Sequence, residues 1–197
     1  MPDGASLASR ARVLCLTVGC ALSLLGLGCA NGEGEGEVTG AVFAPECGID
    51  DATWDLRPNF FVQDTNMNTA VIRVQHGSDY QDRSDGLVIS IGDLEEVGAN
   101  LGVPFDLADP ESPIAITLTL AGTCQPGRRD PSVVLLARAG TITFEALHDP
   151  RSDSGPETRA TFSGVTMDDG EEPPSTATLV GNFSFLFARG RPGQRFP

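Results

Sequence analysis

The sequence predicts an all-β fold: an antiparallel β-sandwich or barrel of about nine strands, with at most one short helix. From Val38 onward, apolar residues recur mostly at every second position, as in strands that bury one face. Turn-forming residues interrupt this alternation about every ten positions, which is the spacing expected of strands in a sandwich or barrel. No internal repeat is visible, so we expect one domain.

Strand patterns follow one another along the chain. The clearest is the last, where Leu179, Phe183 and Phe185 alternate with polar residues, so one face of this strand is predicted to be aromatic and buried. The predicted strands are Val38–Phe43, Asn59–Gln63, Ala70–His76, Leu87–Ile91, Ile114–Ala121, Val133–Arg138, Thr141–Leu147, Arg159–Met167 and Ala177–Arg189.

Only one segment has the pattern of a helix. Asp93 can cap a helix whose third residue is Glu96, and Gly98 marks its end. The pattern predicts two turns at most, covering one end of the sheets.

Residues 1–28 have the layout of an export signal. Arg10 and Arg12 precede an uncharged apolar run, Val13–Gly28, which is shorter than the roughly 20 residues of a membrane-spanning helix. We therefore expect residues 1–28 to be a cleaved signal peptide. Cleavage before Cys20, ordinary cleavage near Ala30 and retention as an uncleaved anchor are the alternatives.

The end of this run, Leu25-Gly26-Leu27-Gly28-Cys29, resembles the lipobox of bacterial lipoproteins. The layout of the whole chain resembles uncharacterised predicted envelope lipoproteins of high-GC Gram-negative bacteria. The resemblance implies that Cys29 is acylated, for example with palmitate, and anchors the exported chain to a membrane. Because Ala30 rather than Asp follows the cysteine, it also implies the outer membrane.

Glycine and glutamate alternate from Gly32 to Glu37. This composition is typical of flexible, self-repelling segments. We expect residues 29–37 to be the lipidated cysteine with an acidic linker, and residues 38–197 to be a single β domain.

The expected mature chain is strongly acidic. Without Asp3, Arg10 and Arg12, the 27 acidic and 13 basic residues become 26 and 11, a net charge of −15. Nucleic acids and anionic lipids need clustered positive charge in a partner. The charge therefore excludes nucleic acid as an expected partner.

Two cysteines remain in the domain. Cys47 and Cys124 form a pair in an exported chain, which favours a disulfide. Two buried thiols are the alternative.

Acidic loops are the candidate metal sites. Hard cations such as Ca²⁺ prefer carboxylate and carbonyl oxygens, which these loops supply. Solvated turns are the competing interpretation, because Asp-Gly is a common turn signal. The candidate ligands are Asp79, Asp82, Asp85, Asp168 and Asp169.

No catalytic motif is present. Lysine is absent, which excludes Schiff-base chemistry, and neither His76 nor His148 has a ligand or triad spacing. The sequence therefore predicts a non-catalytic envelope lipoprotein with a binding or structural role and a protein or glycan partner. A Ca²⁺-dependent carbohydrate or adhesion module and an exported glycan hydrolase with an Asp/Glu pair are the alternatives.

Overall fold

A computed structural model describes residues 33–77, 84–124 and 133–187. These residues form ten β-strands in one antiparallel sheet, with one α-helix and one 3-10 turn, which confirms the predicted all-β class. The strands are β1 (Glu33–Ala44), β2 (Ile49–Leu56), β3 (Phe60–Asn66), β4 (Thr69–Gln75), β5 (Asp85–Ile91), β6 (Pro104–Asp106), β7 (Ile114–Leu120), β8 (Val133–Ala146), β9 (Glu157–Asp168) and β10 (Thr176–Leu186). The helix α1 spans Leu94–Ala99, and the 3-10 turn spans Pro45–Cys47.

The sheet has the order β2-β1-β10-β9-β8-β7-β5-β4-β3, and β6 pairs with β8 outside this path. It curls around one core, so that β3 at one edge comes back towards β10. The ring of Phe61 in β3 stacks on Phe185 in β10, with centroids 5.5 Å apart. The architecture is thus a curled half-barrel.

The core follows the period-two pattern. In β7, Ile116 and Leu118 are buried, and in β10 Phe183 and Phe185 are buried while Val180 is 46% exposed. Alternate side chains of a strand point to opposite faces, so one face of each strand fills the concave side of the sheet.

The segment expected to be an acidic linker is largely a strand. Glu33–Glu37 forms the first part of β1 and pairs with Asn182–Leu186 of β10. Gly34 and Gly36 lie on the same face of β1 as Val38 and have no side chains that would collide with β10. Packing against the aromatic strand therefore outweighs the solvating composition of the segment.

Other differences concern strand number. The segments Val133–Arg138 and Thr141–Leu147 lie almost wholly in one long strand, β8, whose register shifts at bulges opposite β9. Two further strands, β2 and β6, were not predicted from sequence. In β2 only Ile49, Trp54 and Leu56 are buried, so its alternation is incomplete.

The helix is confirmed. The carboxylate of Asp93 accepts a hydrogen bond of 2.8 Å from the backbone N–H of Glu96, and Leu94 and Val97 are buried. In the described ranges, no helix is long and apolar enough to cross a membrane.

The strand register defines two ends of the sheet. What we call the helix end contains the start of β1, the 66–69 turn, α1, the 147–156 loop and the end of β10. What we call the disulfide end contains the 44–49 turn, Cys124 and the 169–175 loop.

Candidate functional site

The two domain cysteines meet at the disulfide end. The sulfur atoms of Cys47 and Cys124 lie at disulfide-bonding distance, and their Cα atoms are 4.6 Å apart. This arrangement ties the turn after β1 to the turn after β7.

The side chain of Asp85 holds the same end together. Its Oδ1 accepts hydrogen bonds from the backbone N–H groups of Gly122 (2.8 Å) and Thr123 (2.9 Å). Its Oδ2 accepts from the hydroxyl of Thr123 and, at 3.4 Å, from Nε1 of Trp54. The carboxylate thus has four donors in place, and its observed role is to fix the turn beside Cys124.

Asp168 and Asp169 hold the loop between β9 and β10. The guanidinium of Arg138 donates to Oδ1 of Asp168 from both Nε and Nη2, at 2.9 Å each. Asp169 accepts from the backbone N–H groups of Glu171 (3.0 Å) and Ser175 (3.1 Å). Both carboxylates therefore have partners within the protein.

The topology brings three of the predicted ligands, Asp85, Asp168 and Asp169, to the disulfide end. Asp79 and Asp82 lie outside the described residues. Within residues 33–77, 84–124 and 133–187, no three His, Cys, Asp or Glu side chains are grouped so as to hold a metal ion. The Ca²⁺ sites at Asp79, Asp82 and Asp85 and at Asp168 and Asp169 stay predictions.

A pocket opens at the opposite, helix end. It has a volume of about 260 Å³ and lies between α1 and the 147–156 loop. Three leucines give it an apolar lining, and acidic and hydroxyl side chains line the rest. The lining residues are Leu94, Glu95, Gly98, Leu101, Leu147, Asp149, Ser152 and Ser154.

A polar network joins the two walls of this pocket. Nη2 of Arg151 donates to Asp149 (3.0 Å) and to Oδ1 of Asn68 (3.1 Å), and its Nη1 lies 3.6 Å from Oε1 of Glu95. Nδ2 of Asn68 donates to Asp93 (2.9 Å), and its Oδ1 accepts from the backbone N–H of Glu95 (3.0 Å). The helix and the loop are therefore connected through Asn68 and Arg151.

The charges at the pocket do not cancel. Hydrogen bonds from Arg151 hold the pKa of Asp149 below its ordinary value, and the backbone N–H of Glu96 does the same for the pKa of Asp93. Both carboxylates are therefore ionised at neutral pH. With Glu95, three carboxylates face one guanidinium, so the network carries a net negative charge.

Buried polar groups fix the 147–156 loop, which lines the pocket, to the sheet. Gln63 donates from Nε2 to the carbonyl oxygen of His148 (2.7 Å) and accepts from the hydroxyl of Thr158 (2.6 Å). The ring of His148 is stacked on Phe187 with centroids 4.5 Å apart, and its Nδ1 is 3.0 Å from the carbonyl oxygen of Gly155. These contacts give the loop a rigid base.

The lowered pKa of Asp149 makes this side chain unsuited to general acid catalysis. A general acid must keep a proton at working pH, whereas Asp149 stays ionised. The hydroxyls of Ser152 and Ser154 both donate to the carbonyl oxygen of Asp149, so they serve to shape the loop. An apolar lining with a negative rim fits a ligand that carries a positive group.

Comparisons with protein-family models, with curated proteins and with solved structures gave no match to this chain. The candidate site therefore rests on its own geometry and charge.

Proposed function

We propose that this chain is an exported lipoprotein of the cell envelope, anchored in a membrane, by resemblance the outer membrane, through lipid on Cys29. Its β domain has a non-catalytic binding role. The observation that carries the proposal is the lipobox-like segment Leu25–Cys29 directly before a folded β domain. Lipidation can hold such a domain at a membrane surface through one modified residue.

The pocket at the helix end supports the binding role. Cavities that combine an apolar lining with a few placed polar groups are the usual form of small-ligand sites. Glu95 and Asp149 both line the pocket, as the hydrolase alternative requires. The ion pair with Arg151 favours the charged form of Asp149, so Asp149 is unsuited to be the protonated acid that a glycosidase needs.

Intact mass of the mature protein tests the anchor. We expect the full precursor, expressed in a Gram-negative host, to yield a membrane-bound chain that begins at Cys29 and carries the mass of acyl chains. Cys29→Ala should abolish both acylation and membrane retention.

Cys20→Ala is the matched control, because Cys20 is the other cysteine at which cleavage was considered. It should leave the mass and the membrane fraction unchanged. A Cys29→Ala chain that is still processed and still retained in the membrane would refute the proposal.

A further inference from the structure

We propose that the helix end of the domain rests on the membrane, where the pocket receives the ammonium groups of zwitterionic phospholipids. This inference rests on lipidation of Cys29, the function proposed above. It adds a docking surface, an orientation and a ligand class.

The first argument is the length of the connection. β1 begins at Glu33, so only Ala30, Asn31 and Gly32 separate it from Cys29. The four residue steps from Cys29 to Glu33 span at most about 14 Å even when the chain is fully extended. Lipid on Cys29 would therefore hold the start of β1, and with it the helix end, close to the bilayer surface.

The second argument is the distribution of exposed apolar side chains. Seven large apolar side chains of the described residues are more than two-fifths exposed, and four of these lie at or near the helix end. Met67, at the tip of the β3–β4 turn, is the most exposed of them at 79%. Exposed apolar groups at this end suit contact with a membrane interface. The four are Met67, Leu101, Val103 and Leu186.

The third argument is charge. The net negative network at the pocket attracts a cation, and the pocket volume of about 260 Å³ corresponds to about nine water molecules at about 30 Å³ each. That is enough room for a headgroup ammonium with its carbon substituents.

Fluorescence quenching by brominated phosphatidylcholine tests the orientation. The lipidated full-length mature protein would be reconstituted in these vesicles with a tryptophan at either end. Val103→Trp places the probe at the helix end, outside the pocket lining, where Val103 is 51% exposed. Val134→Trp is the matched control near the disulfide end, where Val134 is 45% exposed. The native Trp54 is buried and hydrogen-bonded to Asp85, so it gives a constant baseline.

We expect the Val103→Trp probe to lose about half of its added emission and the Val134→Trp probe to lose almost none, because only an interfacial ring meets the bromine atoms. Equal quenching of the two probes, or none of either in an acylated, vesicle-bound protein, overturns the docking inference and leaves the lipoprotein proposal intact. A chain without acyl mass that does not bind vesicles overturns both.

Choline titration tests the pocket separately from the bilayer. At low ionic strength we expect choline to shift the amide resonances of Leu94, Leu101 and Leu147, and Glu95→Gln to weaken this binding about fivefold. Asp50→Asn, which removes one exposed carboxylate near the disulfide end, should leave the affinity unchanged. Equal weakening by both variants, or no shift with choline, would show that the pocket is not an ammonium site.

Discussion

At the disulfide end, the Cys47–Cys124 pair and the four donors to Asp85 hold neighbouring turns together. At the helix end, a helix of six residues and a hydrogen-bonded loop border an open pocket of about 260 Å³ and are connected through Asn68 and Arg151. The same sheet is therefore closed differently at its two ends. At the end with a covalent constraint, Asp85, Asp168 and Asp169 accept hydrogen bonds within the protein, whereas the other end retains space and net charge.

The largest expected effect is at the disulfide end. Cys47→Ser opens a loop of 77 residues, and the chain-entropy model gives a loss of about 4 kcal/mol in the free energy of unfolding. Urea denaturation measures it. The Cys47→Ser/Cys124→Ser double variant should cost no more than the single one. Equal stability of the wild type with and without reductant would contradict the covalent closure of this end.

Asp85→Ala should have the next largest effect. It removes the acceptor for the N–H groups of Gly122 and Thr123 and for Trp54, with an expected loss of about 2 kcal/mol in unfolding free energy. Asp50→Ala, an exposed acid on β2, is the control and should be neutral. If both variants unfold at the same urea concentration, Asp85 does not hold this end.

The start of β1 gives a test at the helix end. A Cβ atom on Gly36 would lie 2.8 Å from the backbone oxygen of Asn182 and 3.1 Å from Pro58, so Gly36→Ala should cost about 1 to 2 kcal/mol in the same measurement. Glu35→Ala changes the neighbouring, exposed residue and should be neutral. If neither Gly36→Ala nor Glu35→Ala changes the unfolding free energy, residues 33–37 behave as a linker.

The charged network should make the helix end sensitive to acid. Since the folded-state pKa of Asp149 is lowered, its contribution is present above its unfolded pKa of about 3.9 and is lost as the pH falls through the folded value. Asp149→Asn should therefore lower the unfolding free energy by about 1 kcal/mol at neutral pH, and the difference should vanish in acid. Asp153→Asn, in the same loop, serves as the control. A difference that persists in acid would rule out the ionised form as its cause.

The smallest effect is expected from Ca²⁺. Asp85 and Asp168 already have donors, so millimolar Ca²⁺ should raise the melting temperature by less than about 1 °C. Differential scanning calorimetry with and without EDTA measures the shift. A rise of several degrees would contradict this expectation and favour a Ca²⁺ site over solvated turns.

Local sequence patterns predicted much of the fold. The alternation in β7 and β10 and the cap at Asp93 depend on neighbouring residues, and the structure confirms each of them. Residues 33–37 had the same period-two alternation, but their composition favoured a solvated segment. What decides their conformation is the aromatic face of β10, which is remote in sequence.

The pocket could not be predicted in the same way. The helix cap at Asp93 was recognisable from sequence, but nothing in that segment indicates that Asn68 and Arg151 connect it to Asp149. The pocket arises from tertiary packing of α1 against the loop after β8. No pattern in the sequence predicts that contact.

The pairing of β1 with β10 has a consequence for how the protein is made. The first and the last strands of the described domain are neighbours, so during synthesis β1 keeps an open edge until Thr176–Leu186 has emerged. Contacts between such distant segments form slowly, and an open edge is a template for pairing with other chains. We therefore expect chains cut short before β10 to aggregate rather than to fold partially.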